Sequence, residues 1–144
     1  VAASPVNVKA VVQAVFNILS ADARTSNLKW YYGRRSFTQV QSYPAGGVSL
    51  DTARDIQFLM PLARKATLVV LVAIRYRSEV SVDDAEQQMQ DGLDKVMQVI
   101  QDNLSLGLSY TVLLTLDVKT DSNPEASPFT ADALVRLTVE LAPR

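Results

Sequence analysis

The stretch Thr67–Arg77 (Thr-Leu-Val-Val-Leu-Val-Ala-Ile-Arg-Tyr-Arg) constrains what this chain can fold into more than any other segment. Its apolar residues fill odd and even positions alike until Arg75, whereas a strand buried on one side alternates. Such a run is predicted to be a central strand covered on both faces, with a charged end that emerges into water or an interface. The continuous apolar part, Leu68–Ile74, has strand length and falls far short of the ~20 residues of a membrane span.

Cover for that strand is supplied by two amphipathic patterns. Ser4 followed by Pro5 reads as an N-cap with proline in the first helical turn, where its missing N–H costs nothing. Val8, Val11, Val12, Val15, Phe16 and Leu19 then recur at spacings of three and four, which predicts a helix from Pro5 to about Ala23. Ser81-Val82-Asp83-Asp84 resembles a capping box, and acids in the first turn suit the helix dipole. Ala85, Met89, Leu93, Val96, Met97, Ile100 and Leu104 follow as one stripe, so a second helix is predicted over Val82–Asn103, stopping near Gly107.

The remaining segments carry the two-residue period of strands. Leu28, Trp30 and Tyr32 alternate with Lys29 and Tyr31, and Gly33 can turn the chain. Ser36–Tyr43 has extended character and leads to Pro44-Ala45-Gly46-Gly47, which reads as a loop tip. Alternation returns over Ala53–Met60, with Ile56, Phe58 and Met60 on one face, so Asp51 falls in a loop leading into that strand. Tyr110–Val118 and Ala133–Leu141 alternate clearly, and Lys119–Thr130, with Asp121, Asn123, Pro124 and Pro128, reads as a long hairpin loop. The order helix, strands, helix, strands predicts an α+β fold in a single domain over 1–144, with one mixed or antiparallel sheet and two amphipathic helices packed on it. A chain of 144 residues with 48% hydrophobic content is long enough to bury such a core.

Two absences narrow the chemistry. With no cysteine and no histidine, the chain has no disulfide, no thiolate nucleophile, no Cys/His zinc set and no imidazole acid–base device. Catalysis would then need shifted carboxylates, lysine or a bound metal, and the carboxylates do not converge. Asp51 and Asp55 are four apart in a segment read as non-helical, and Asp83, Asp84 and Glu86 are explained by a helix start. Gly46-Gly47 lacks the lysine that would reach a phosphate, so it is a turn rather than a nucleotide loop. The expectation is a protein that is not an enzyme, with no cofactor and no metal. The absence of cysteine fits a reducing compartment, and Val-Ala-Ala-Ser-Pro leads into an amphipathic pattern rather than a signal core, so a soluble, non-exported protein is expected.

Charge is distributed unevenly despite a formal net of −1. Residues 1–77 carry ten Lys/Arg and three Asp/Glu, whereas residues 78–144 carry four and twelve. Opposed faces on one small domain can steer association between copies, unless the fold intermixes the two halves. The segment Lys29-Trp30-Tyr31-Tyr32-Gly33-Arg34-Arg35-Ser36-Phe37 interleaves aromatics with cations. It is open to three readings: core, a protein interface rich in Trp, Tyr and Arg, or a single-strand nucleic-acid platform. A sequence pI of about 5.3 weighs against the last.

The organisation resembles the tail terminator proteins of long-tailed bacteriophages. The resemblance rests on the N-terminal amphipathic helix, the strand Leu68–Arg77, the helix start Ser81–Ala85 and Gly92-Leu93-Asp94-Lys95-Val96. The helix exit Asp102–Gly107 and the last strand Val135–Glu140 extend it, and residues 27–50 match least well. It implies a structural subunit that forms a ring, hexameric in that family, caps the tail tube, ends its polymerisation and joins the tail to the head and neck. The implied partners are further copies of the chain, the tail tube protein, a head-completion or neck protein, and DNA that passes through the channel without sequence-specific binding. No membrane is implied. The implied location is the virion tail or neck, after assembly in the host cytoplasm. On this sequence, subunit contacts would fall at Arg75, Arg77, Asp83, Asp84, Glu86, Asp91 and Asp94. Tube or neck docking would fall at loops containing Tyr43, Pro44, Gly46, Gly47, Asp121, Asn123 and Glu125, with Arg34 and Arg35 facing the channel. The alternatives are a nucleic-acid-binding α+β module using Trp30, Tyr31, Tyr32, Arg34 and Arg35, or another neck or tail subunit such as a head-completion protein.

Overall fold

The computed structural model describes residues 8–33, 43–59, 63–106, 111–123 and 128–142. The elements in chain order are α1 (Val8–Ala21), β1 (Lys29–Tyr32), β2 (Ala45–Leu59), β3 (Ala63–Ser78), α2 (Val82–Gln101), β4 (Thr111–Asn123) and β5 (Phe129–Ala142). The strands form one sheet in the order β1-β2-β3-β5-β4. Only β1 and β2 run parallel; every other neighbouring pair is antiparallel. One mixed sheet with two helices is the α+β fold expected from the sequence.

The doubly apolar run lies in β3, the middle strand. Leu68, Val70, Val72, Ile74 and Tyr76 point to one face and are buried there with Val48 of β2 and Val135, Leu137 and Val139 of β5. Helix α1 adds Val11, Val12, Val15 and Leu19 to the same cluster, and α2 adds Ala85, Met89, Val96, Val99 and Ile100. Both helices therefore form one layer on one face. Val69, Leu71 and Ala73 point to the other face, on which no described element packs. Among the described residues a helical layer covers one side of β3, while on the other side Val69 is buried and Leu71 and Ala73 are half-buried.

Helix α2 begins as its sequence dictates. The Ser81 Oγ accepts the Asp84 N–H at 3.1 Å, and the Asp84 carboxylate accepts from the Ser78 hydroxyl at 2.6 Å and from Gln88 Nε2 at 2.8 Å. It ends at Gln101, two residues before the expected boundary, where the Asn103 amide donates to the Val99 carbonyl at 2.8 Å. Helix α1 ends at Ala21 rather than Ala23 because Asp22 and Arg24 are drawn into side-chain pairing; Ser4 and Pro5 lie outside the described residues.

Three loop expectations are corrected. Gly46 and Gly47 are not a loop tip: they are residues of β2, paired with Trp30 and Tyr31 of β1 and with Ile74 and Ala73 of β3. Glycine is required at position 46 because the Trp30 ring lies across it, 2.6 Å from where a Cβ would stand. Strand β2 consequently starts eight residues earlier than Ala53, and Asp51 lies within it; the register breaks between Leu50 and Thr52 and between Arg54 and Gln57, and Asp55 takes φ 54° at the second break. The 119–130 hairpin loop is also shorter than expected. Asp121 and Asn123 are in β4, opposite Asp132 and Thr130, and β5 resumes at Phe129. An edge strand need not alternate in polarity once it passes the end of the helix layer, so its polar half reads as loop.

Candidate interaction surfaces

On the sheet face away from the helices, Val69, Leu71 and Ala73 of β3 stand beside Thr138, Arg136 and Leu134 of β5; Val69 is buried, and Leu71 and Ala73 are half-buried. Two ion pairs lie on this face, one beyond Ala73 at the end of the row and one running across it between Leu71 and Val69. Arg75 donates through Nε and Nη2 to the two carboxylate oxygens of Asp132, its cross-strand neighbour, at 2.5 Å each. This bidentate pairing raises the Arg75 pKa from its ordinary value, against the opposing effect of burial. Arg136 on β5 reaches Asp51 on β2 at 2.8 Å, which carries the pair across β3. Arg77 stacks its guanidinium 4.8 Å from the centre of the Tyr43 ring, beside the Tyr43–Pro44 bend.

The acidic residues of α2 occupy the opposite layer. Asp83, Gln87, Gln90, Asp94 and Gln98 fall on one exposed stripe at about 100° per residue, with Asp91 at its margin bonded to Lys95 at 3.1 Å. Asp84 is turned into the helix cap, and Glu86 is half-buried. The structure therefore does not bring Arg75 and Arg77 together with Asp83, Asp84, Glu86, Asp91 and Asp94 in one subunit; it displays them on opposite sides. Glu125, Arg34 and Arg35 lie outside the described residues.

The aromatic segment separates into distinct roles. Trp30 is half-buried over Gly46, and its indole N–H donates to the Thr25 carbonyl at 2.8 Å, which makes it part of the fold. Tyr32 is on the same face at the sheet margin, in edge-to-face contact with Phe16 at 5.5 Å, and Tyr31 is on the other face. The three rings do not form one platform.

Sequence reasoning missed the partners of these arginines. Asp132 and Arg136 occupy the positions of β5 that alternate with its buried residues, which is a legible sign of a second face; the link to Asp51 is not legible locally. It also missed a network at the end of α1. Arg24 donates to both oxygens of Asp22 at 3.0 Å and to Asp102, beyond the last turn of α2, at 2.7 Å. These bonds to Arg24 lower the Asp22 pKa from 3.8 to about 2 and raise that of Arg24. A carboxylate depressed in the folded state adds stability above its unfolded pKa and loses it as pH falls through the folded value. Asp22→Asn is thus expected to destabilise the protein at pH 6, with the gap to wild type closing between about pH 4 and pH 2. Urea titrations at pH 2, 3, 4 and 6 measure this, and a gap independent of pH would contradict it.

Among the described residues there is no cluster of three acids able to hold a metal, and no helix long and apolar enough to cross a membrane. In comparisons with known proteins, no family model matches the chain and no curated protein matches it.

Proposed function

We propose that the chain is a structural subunit of a virion tail, copies of which close into a ring that caps the tail tube, ends its growth and joins tail to neck. The observation that carries this reading is the face of β3 opposite the helices, on which Leu71 and Ala73 are half-buried and no described element packs. A central strand apolar on both sides has been given a helical layer on one side only among the described residues, so its second side suits burial against another protein.

The strip's arginines are already paired within the subunit, so the face offers shape and apolar area rather than a charge to be neutralised. In this reading it seats on the end of the tube. The use of Trp30 in the fold weighs against a stacking platform for bases, and the scattered carboxylates weigh against catalysis. DNA passing the ring would then meet no sequence-reading element.

Sedimentation velocity of the purified chain, with negative-stain electron microscopy of the assembled fraction, tests the reading. The expected result is a closed ring with a central hole, weakening as salt screens the charges around its contacts. A monomer at every concentration that also fails to bind tail tubes would overturn it.

A further inference from the structure

The two margins of the sheet differ in a way that the ring reading alone does not require. At one margin β4 pairs with β5 through thirteen consecutive residues, Thr111 to Asn123, without a register break. No described strand pairs with its outer edge. Long unpaired edges are normally blunted by proline, bulges, brevity or charge, and of these β4 has only charge, in Asp117, Lys119 and Asp121. At the other margin β1 is only four residues long.

Exposed apolar side chains collect at these two margins. Among the described residues four large ones are exposed: Tyr32 at 46%, Val80 at 82%, Leu104 at 55% and Leu116 at 40%. Val80 lies in the turn before α2; the other three lie at the margins. Leu116 and Leu104 line an open groove of about 480 Å³ between β4 and the C-terminal half of α2, with Met97, Ile100 and Leu114 as its floor and Asp94 on its rim. Tyr32 projects at the β1 margin on the same face of the sheet, the face that carries the helices. Charge is complementary as well. Lys29 is exposed on the β1 face away from the helices, and on the same face of β4 Asp117 and Asp121 are exposed on either side of Lys119.

We infer that β4 of one copy pairs edge to edge with β1 of the next, so that the sheet continues from subunit to subunit and the Tyr32 ring enters the groove beside Leu116. The main-chain edges supply the hydrogen bonds, Tyr32 fills an apolar gap left at the end of the helix layer, and on the other face Lys29 meets Asp117 and Asp121. Because the two margins are different surfaces, the contact is head-to-tail and closes only as a ring. The inference rests on the ring reading and specifies how its copies meet.

Two variants, each disabling one margin, test it: Leu116→Lys at β4 and Tyr32→Glu at β1. Both positions are exposed, so folding should survive, and circular dichroism checks this. Because Tyr32 also touches Phe16, Lys29→Glu serves as a second β1 variant. Alone, Leu116→Lys and Tyr32→Glu should each weaken self-association about 100-fold and sediment as monomer where wild type assembles. Mixed one to one they should form a heterodimer and nothing larger, because each brings one intact margin. If the folded variants assemble like wild type, the edge contact is wrong while the ring reading stands. If the mixture stays monomeric, or if only the β4 variant is impaired, the two margins are not partners. Wild type that remains monomeric and ignores tail tubes removes the ring reading too.

Discussion

Gly92→Ala is expected to destabilise the protein by about 2–4 kcal/mol, although the same change in an ordinary helix interior stabilises by roughly 1 kcal/mol. Gly92 lies in α2 directly over Tyr76 of β3, and a Cβ there would stand 2.0 Å from the phenol oxygen and 2.6 Å from Cζ. Tyr76 cannot swing aside cheaply, because its ring is 6% exposed and belongs to the core between α2 and the sheet. Either α2 lifts off β3 or the ring leaves the core, and both alternatives sacrifice close packing. The sign of the effect is the diagnostic. In a Tyr76→Ala background the obstructing ring is gone, so Gly92→Ala should become neutral or stabilising, a coupling that a double-mutant cycle by urea unfolding reads directly. A neutral Gly92→Ala in the wild-type background would mean that α2 does not approach β3 this closely.

That glycine shows where local pattern stops being informative. The stripe of α2 is readable from Ala85 to Ile100 because each apolar residue repeats at helical spacing, and Ser81 announces the start. β3 is readable because nothing but a strand in the middle of a sheet places Leu68 to Ile74 in one run. Gly92 and Gly46 instead take their meaning from single long-range neighbours, Tyr76 and Trp30. Gly46-Gly47 has the composition of a turn, and only an indole lying across the strand makes glycine the residue that fits in its middle. The parallel pairing of β1 with β2 is invisible for the same reason, since it depends on how the chain returns rather than on either strand's sequence.

The candidate surfaces divide in the same way. Alternation in β5 marks Asp132, Leu134 and Arg136 as belonging to the second face, and the apolar odd positions of β3 mark Leu71 and Ala73 as their neighbours. The charged residues were therefore legible as a kind, but their pairing was not. Arg75 is 57 residues from Asp132, and Arg136 is 85 residues from Asp51. Reading Arg75 as a cation held out for a neighbouring subunit overlooks the carboxylate that already satisfies it. The split of charge between the two halves of the chain is partly spent inside the fold. Among the described residues the exposed acids include the stripe of α2 and Asp117 and Asp121 of β4, the last two on the same sheet face as Lys29 of β1.

Leu71→Asp is expected to separate capping from ring formation. Leu71 is half-buried on the sheet face away from the helices, flanked by Val69 and Ala73 and directly opposite Arg136. In the free subunit an aspartate there has a guanidinium for a cross-strand neighbour, so the change should cost about 1 kcal/mol or less and leave the circular dichroism unchanged. Pressed against a tube end, the same carboxylate would lose solvent beside an arginine that Asp51 already holds, and the penalty of several kcal/mol for an ion taken out of water corresponds to roughly 100-fold or more in affinity. Pelleting with tail tubes should therefore lose the variant while its sedimentation as a ring matches wild type. Gln87→Asp, an equal charge change on the exposed stripe of α2, should bind as wild type does and controls for charge alone. If Leu71→Asp still pellets with tubes, the strip is not the seat. If it folds but no longer forms rings, the strip joins neighbouring copies, and the division of labour between sheet face and sheet margins must be reversed.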